Sequence, residues 1–162
     1  DVYKRQELVT KEGKSPKTEF VGKSAKYILD KIGITVGDDV KVILMEAKED
    51  HPFVQVELMM PILPLVRVPD VDQAIEMAVR VEHGNRHTAM MHSRNVEKLT
   101  KMAKLIQTTI FVKNGPSYAG IGVGGEGYTT FTIAGPTGEG LTSAKSFARR
   151  RRCVLVGGMD VR

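Results

Sequence analysis

The chain has 162 residues, of which 41% are hydrophobic and 27% charged, a composition typical of one soluble domain with its own hydrophobic core. It carries 24 Lys and Arg against 19 Asp and Glu, a formal charge of +5, and four of the arginines are consecutive: Arg149, Arg150, Arg151 and Arg152. No apolar run reaches the length of a membrane span, no secretory leader pattern is present, and a single cysteine excludes an intramolecular disulfide. We therefore expect a cytoplasmic protein that does not bind a membrane.

Hydrophobic spacing predicts alternating helices and strands along the first two thirds of the chain. Ser24 is placed to cap one helix, and Pro61 and Pro64 exclude a single long strand in the segment around them. The predicted elements are a loose lead-in at 1–20, a helix at 24–32, strands at 40–45 and 62–68, a helix at 70–83, a strand at 87–93, a helix from Ser93 or Asn95 to Ile106 and a strand at 109–113. This order is typical of an α/β fold with a parallel sheet, in which ligands bind beyond the carboxyl ends of the strands.

A glycine-rich stretch at 114–140 leaves the carboxyl end of the last of these strands. Nine of its 27 residues are glycine, but prolines and aromatic residues between them exclude a flexible linker. We expect an ordered functional loop in which glycines allow positive φ or close approach. Gly120, Gly122 and Gly125 match the dinucleotide pattern GxGxxG, but no tight strand-to-helix turn surrounds them, so we reject that interpretation.

The segment after this stretch predicts a short helix at 142–150 and an apolar strand at 153–156. A strand of this kind would be an exposed edge in a monomer, so pairing with another subunit or domain is expected. We expect the four arginines before it to be solvated or to lie at an interface, and not to bind nucleic acid, since no nucleic-acid motif accompanies them.

Several side chains are candidates for chemistry. His87 and His92 lie on opposite faces of a predicted strand, so one metal ion cannot bind both, and His51 and His83 resemble surface residues. Cys153 is the only thiol, and its strand pattern favours a buried structural cysteine over a nucleophile. Glu57 precedes a Pro-kinked segment that could aim its carboxylate at a ligand hydroxyl, and a solvent-facing Glu is an equal alternative.

Five segments together resemble the C-terminal third of the CoA-acylating aldehyde dehydrogenases, of the propionaldehyde and acetaldehyde type found in bacterial microcompartments. The resemblance runs from about residue 21 to residue 162, whereas the first six residues, DVYKRQ, match nothing in the family and could be artefactual. The matching segments are VGKSAKYILDKIGI, ELMMPILPLV, HTAMMHS, QTTIFVKNGPSYAGIGVGGEGYTTFTIAGPTGEG and SFARRRRCVL.

The resemblance implies a fold, a reaction and a division of the chain. It implies part of the three-layer, parallel-sheet catalytic domain at 21–141 and a C-terminal helix with an oligomerisation strand at 142–162. The whole enzyme would convert aldehyde, CoA and NAD to acyl-CoA and NADH through a cysteine thioester, without a metal. The nucleophilic cysteine and the nucleotide-binding domain lie upstream in the family, and Cys153 matches a cysteine of the C-terminal strand. This chain alone is therefore expected to be inactive.

The same resemblance suggests roles for individual residues. Glu57 falls on the Glu of the superfamily's E-x-F-G-P motif, a site that binds the nicotinamide ribose, although Met59 and Met60 replace the aromatic residue and the glycine. Ser117, Tyr118 and Ile121 are expected to contact substrate in the aldehyde and acyl pocket. The expected partners are a small aldehyde, CoA, further copies of the chain and a microcompartment shell, with no nucleic acid. The alternative is a basic binding or assembly module that acts through Arg149 to Arg152 and the following strand.

Overall fold

The computed structural model describes residues 8–11, 15–126, 133–134, 140–154 and 156–157. The chain divides into two compact units, Asp1–Val81 and Glu82–Arg162, so the boundary falls inside the predicted catalytic domain. Within the described ranges, every helix is too short or too polar to cross a lipid bilayer.

The first unit begins with an antiparallel ladder and a short helix. Strand β1 (Thr10–Lys11) pairs with β2 (Ser15–Pro16), and a 3-10 helix spans Thr18–Phe20. Helix α1 covers Ala25–Asp30, and the Ser24 hydroxyl accepts a hydrogen bond from the Tyr27 amide as the predicted cap. The described part of the predicted lead-in, residues 8–11 and 15–20, contributes to the core, because Val9 and Phe20 are almost completely buried there.

A parallel strand pair forms the centre of this unit. Strand β3 (Ile43–Glu46) pairs with β4 (Ile62–Leu65), and the short helix α2 (Pro52–Gln55) lies between them in sequence. The predicted strands at 40–45 and 62–68 are located correctly, but their ends differ. Strand β3 begins three residues later and ends one residue later than predicted, and β4 ends three residues earlier. Alternate side chains face the core, which includes Ile43, Met45 and Ile62, as expected from the two-residue period of a strand.

Helix α3 (Val71–Val81) closes the first unit. The Asp70 carboxylate accepts a hydrogen bond from the Gln73 amide at 2.9 Å, which lowers the pKa of Asp70. The helix ends two residues earlier than predicted because His83 and Gly84 adopt left-handed backbone conformations with φ of 56° and 76°.

The second unit is built on another parallel pair. Strand β5 (Thr88–Met91) pairs with β6 (Ile110–Lys113), and the intervening helix α4 (Val96–Ile106) begins at Asn95, whose side chain accepts a hydrogen bond from the Lys98 amide. Its buried apolar side chains among the described residues come from the helix and the last strand: Leu99, Met102, Ile106, Ile110 and Val112. The sequence predicted one parallel sheet, whereas the described strands form two parallel pairs, β3–β4 and β5–β6.

The rest of the second unit contains little regular structure among its described residues. Strand β7 (Ile133–Ala134) pairs antiparallel with β8 (Gly140–Leu141), and a 3-10 helix at Ala144–Phe147 replaces the longer helix predicted at 142–150. The described residues of the strand predicted at 153–156 pair with no strand of this chain, so its expected pairing with another subunit or domain stays a prediction. Sheet structure requires a partner for the backbone groups, and an apolar sequence alone does not supply one.

Candidate functional site

The glycine-rich stretch starts as a tight turn at the carboxyl end of β6. A 3-10 helix spans Ser117–Ile121, with Pro116 as its N-cap, and the chain then turns back so that the Val123 amide donates to the Tyr118 carbonyl at 3.0 Å. We call residues 116–124 the pocket loop. Its start at the carboxyl end of a parallel strand is the position where ligands bind in sheets of this class.

Two different properties of glycine shape this loop. A Cβ added to Gly120 would lie 2.3 Å from Cγ2 of Ile110 in β6, so the loop backbone lies directly against the strand. Gly122 and Gly124 instead have φ of 97° and 71°, a region that costs a side chain about 1–2 kcal/mol. The sequence-based expectation of close approach or positive φ is thus confirmed for these glycines, while Gly127, Gly135 and Gly138 lie outside the described residues.

The geometry also agrees with the rejection of a dinucleotide fingerprint. Gly120, Gly122 and Gly125 lie within and just after a 3-10 turn, and among the described residues up to 126 no α-helix follows them. The arrangement therefore offers no helix N-terminus to a pyrophosphate at this point.

The predicted substrate contacts share a single turn of the pocket loop. Ser117 and Ile121 are half-buried, whereas the Tyr118 side chain is 64% exposed. One hydroxyl, one phenol and one aliphatic side chain are thus presented within five residues. A largely exposed tyrosine can contact a ligand or another part of a protein without first leaving a packed position.

Glu57 lies in the first unit, on an exposed segment before β4. Its carboxylate forms no hydrogen bond or ion pair with any residue that the structure describes, and it is exposed, so it is free to accept from a ligand. The next residue, Leu58, is buried, and Met59 has a left-handed backbone with φ of 52° and a side chain that is 58% exposed. This alternation turns Met59 outward beside a cleft.

The cleft, which we call the lysine cleft, has a volume of about 570 Å³ and lies wholly in the first unit. Its walls include apolar atoms of Met59, Met60 and Pro61 and three lysines against one aspartate: Lys23, Lys26, Lys41 and Asp38. Lys26 is paired with Asp30 at 3.1 Å, which leaves Lys23 and Lys41 against Asp38. An apolar wall with this small excess of positive charge suits a ligand that combines a flat or aliphatic part with phosphate groups. Sequence analysis missed this cleft; the KSAK segment places Lys23 just before the N-cap of α1 and Lys26 in its first turn, but Lys41 joins them only in the folded chain.

The remaining candidates are dispersed. His87 and His92 flank β5 and are both exposed, and the His87 ring Nδ1 lies 2.7 Å from the Thr88 hydroxyl. Among the described residues, no three His, Cys, Asp or Glu side chains are grouped so that they could hold a metal ion. Cys153 is exposed and not buried as predicted, because no described strand covers its segment.

His51 also differs from its expected surface role. It is half-buried, its Nδ1 accepts a hydrogen bond from the Phe53 amide at 3.1 Å, and its ring meets the Phe53 ring edge-on at 5.0 Å. Its Nε2 is buried and has no hydrogen-bond partner among the described residues. Partial burial lowers the pKa of His51, and the nearby Asp50 opposes this effect.

The parallel strand pairs, the intervening helices and the pocket loop define an α/β fold. A profile described as the Aldehyde dehydrogenase family matches residues 40–139. The chain belongs to this family.

Similarity to individual proteins is high across most of the chain. It is 52% identical over 163 residues to a propanal dehydrogenase (CoA-propanoylating) of Salmonella typhimurium, covering 100% of this chain and 35% of the relative. The Rhodopseudomonas palustris propionaldehyde dehydrogenase, solved with bound CoA and an acylated cysteine, is 68% identical with a TM-score of 0.88, over 99% of this chain and 37% of that one. A propionaldehyde dehydrogenase from the Clostridium phytofermentans fucose utilisation bacterial microcompartment is 49% identical with a TM-score of 0.83, over 98% and 37%. The chain therefore spans about a third of the length of the relatives it matches.

Proposed function

We propose that this chain is part of the catalytic domain of a CoA-acylating aldehyde dehydrogenase. The observation that carries the proposal is the 68% identity and TM-score of 0.88 to a propionaldehyde dehydrogenase whose structure holds CoA and an acylated cysteine. The whole enzyme would convert a short aldehyde, CoA and a nicotinamide dinucleotide, NAD in our assignment, into acyl-CoA, the reduced dinucleotide and a proton. When bound, the dinucleotide supplies the hydride acceptor that this oxidation needs.

The residues of this chain have binding roles in the proposal. Glu57 accepts hydrogen bonds from ribose hydroxyls of the dinucleotide, which its free and exposed carboxylate allows. The lysine cleft beside Met59 suits a phosphate-bearing ligand, and both the dinucleotide and CoA have this chemistry. Ser117, Tyr118 and Ile121 form one wall of the acyl pocket.

The nucleophile is assigned to the part of the enzyme outside this chain. Cys153, the single cysteine, is exposed and forms no hydrogen bond with a described residue, whereas an activated nucleophile is usually hydrogen-bonded to a base. We infer that the chain alone does not turn over. No metal is assigned a role.

A steady-state assay tests the proposal. The full-length enzyme that contains this segment should form reduced dinucleotide from propionaldehyde and CoA, and the 162-residue chain should not. Glu57→Gln in the full-length enzyme should raise the KM for the dinucleotide by about 10-fold or more, because hydrogen bonds to a charged group contribute about 1.5–3 kcal/mol. Glu19→Gln, at another exposed Glu, is the matched control and should leave that KM unchanged. Turnover by the short chain, or equal KM values for both variants, would contradict the assignment.

A second function, subunit assembly, is favoured by the segment at 149–156. Arg149, Arg150, Arg151 and Arg152 are all exposed, and Val154 and Val156 are 70% and 92% exposed without a partner strand among the described residues. We propose that this segment pairs with another subunit of a homo-oligomer, which would cover its apolar side chains. Light scattering on the full-length enzyme truncated before Arg149 should show a smaller oligomer. An unchanged mass, or salt-sensitive nucleic-acid binding by the arginines, would contradict this role.

The microcompartment of one relative suggests the cellular place of this enzyme. We propose that it acts in the cytoplasm, inside a bacterial microcompartment, because one similar propionaldehyde dehydrogenase comes from such a compartment. Co-sedimentation of the full-length enzyme with purified shells tests this placement, and recovery only in the soluble fraction would contradict it.

A further inference from the structure

The Asn114 side chain continues the hydrogen bonding between β5 and β6 beyond their last paired residues. Met91 and Lys113 are the final paired residues of β5 and β6, and the Asn114 amide then donates to the Met91 carbonyl at 2.9 Å. Beyond this point the backbone of Asn114 leaves the strand with φ of 56°. An ordinary parallel pair would lose its hydrogen bonds here.

The carboxamide of Asn114 takes the place of the backbone hydrogen bonds that end here. Its Oδ1 accepts a hydrogen bond from the Ser93 amide at 2.7 Å, and its Nδ2 donates to the Ser93 carbonyl at 2.9 Å. The side-chain amide thus forms hydrogen bonds with both the N–H and the C=O of Ser93, as a neighbouring strand would do in a sheet. We call this pair of hydrogen bonds the amide clamp.

The Ser93 side chain makes a further hydrogen bond. Its hydroxyl accepts from the Asn95 amide at 3.0 Å, and Asn95 in turn caps α4. The amide clamp therefore joins the start of α4 to the point where the chain enters the pocket loop. Only two residues separate Asn114 from Ser117, the first residue of the 3-10 turn.

Asparagine meets two requirements at this position. It tolerates the left-handed conformation better than other residues with side chains, apart from aspartate, and its amide supplies one donor and one acceptor. Aspartate retains the conformation and the acceptor but places a second carboxylate oxygen against the Ser93 carbonyl. Glycine retains only the conformation.

We propose that Asn114 is a positioning residue for the pocket loop, acting through the backbone of Ser93. The amide clamp sets the direction in which the chain leaves β6 and so the placement of Ser117, Tyr118 and Ile121. The consequence for turnover rests on the proposed dehydrogenase function, whereas the effect on the loop does not.

Amide hydrogen exchange tests the structural part on the 162-residue chain and on the full-length enzyme. Asn114→Gly should accelerate exchange of the Ser93 amide and of the pocket loop by about 10-fold, the effect expected from losing two ordinary hydrogen bonds, and Asn114→Asp should do so to a smaller extent. Asn85→Gly is the matched control, because Asn85 is also exposed and its side chain also donates to a backbone carbonyl, that of Glu82. Unchanged exchange in Asn114→Gly would overturn the proposal.

Steady-state kinetics test the functional part on the full-length enzyme. Asn114→Gly should lower kcat by about 10-fold with propionaldehyde and change the KM for the dinucleotide by less than about 2-fold, with Asn114→Asp intermediate. Because a loss of folded enzyme would also lower the apparent kcat at an unchanged KM, kcat is calculated per folded enzyme, with the folded fraction measured by circular dichroism. Normal kcat in a variant with a loosened loop would overturn the positioning role. If the unmodified full-length enzyme forms no acyl-CoA, the proposed function fails, and the exchange experiment still decides whether Asn114 positions the loop.

Discussion

Substituting Gly120 by alanine tests whether the pocket loop lies directly against β6. Gly120 does not have positive φ, so alanine at an open site here would stabilise the protein by about 0.4–1 kcal/mol through the unfolded state. The new Cβ would instead lie 2.3 Å from Cγ2 of the buried Ile110, far inside the separation of about 3.5 Å at which carbon atoms pack. Overpacking of this kind costs about 1–3 kcal/mol. The net expected effect is a destabilisation of about 1–2 kcal/mol, opposite in sign to the open-site case.

Native-state hydrogen exchange of the β6 amides is the appropriate assay, because it reports on the second unit separately from the first. Ile110→Ala supplies the matched background, since it removes Cγ2 and leaves room for the added methyl group. In that background Gly120→Ala should be neutral or stabilising, which gives a coupling free energy of about 1–3 kcal/mol in the double-mutant cycle. If Gly120→Ala stabilises β6 in the unmodified sequence, the close approach of the loop to the strand is refuted.

Three further substitutions test local features in either unit. His51→Asn should retain the hydrogen bond to the Phe53 amide and remove a pH dependence of stability. The pKa of His51 is lowered on folding, so the neutral ring contributes fully to stability above about pH 6.5, and this contribution is lost as the pH falls through the folded-state pKa. Urea midpoints of both proteins across this pH range measure the difference. Asn95→Ala should cost about 1 kcal/mol in α4, whereas Asn95→Asp should cost much less, and equal losses in exchange protection would argue against capping. Gly124→Val should lower the free energy of unfolding by more than about 1 kcal/mol in urea titrations, because Gly124 has a φ of 71° although an added Cβ would meet no atom within 4 Å. A negligible change would show that backbone strain does not require glycine at this position.

Local sequence patterns located most helices and strands correctly because their causes are local. The caps were predicted from residue type as Ser24 and as either Ser93 or Asn95, and the side chains of Ser24 and Asn95 accept the capping hydrogen bonds. Strand ends were predicted less well, because a strand ends where its backbone hydrogen-bonding partner ends, and the partner is distant in sequence. The pairing of β3 with β4 covers four residues although the apolar runs are longer.

The candidate site was predicted in part. The glycine pattern indicated a constrained loop, but which constraint acts at each glycine depends on neighbours such as Ile110, which lies ten residues away in sequence. The lysine cleft was missed because Lys41 is separated from Lys23 and Lys26 by more than a dozen residues. Their common position depends on the packing of the first unit.

By itself, the sequence determined the α/β class and indicated a constrained backbone at glycines such as Gly120, Gly122 and Gly124, since hydrophobic period, capping residues and glycine frequency are properties of short segments. The family resemblance came from the five matching segments. Only the tertiary structure decided that the Asn114 side chain forms hydrogen bonds with Ser93 and that Gly120 lies against β6. It also showed that the segment containing Cys153 has no partner strand among the described residues. These are distances between residues far apart in the chain, and they follow from the packing of whole elements, which no local pattern records.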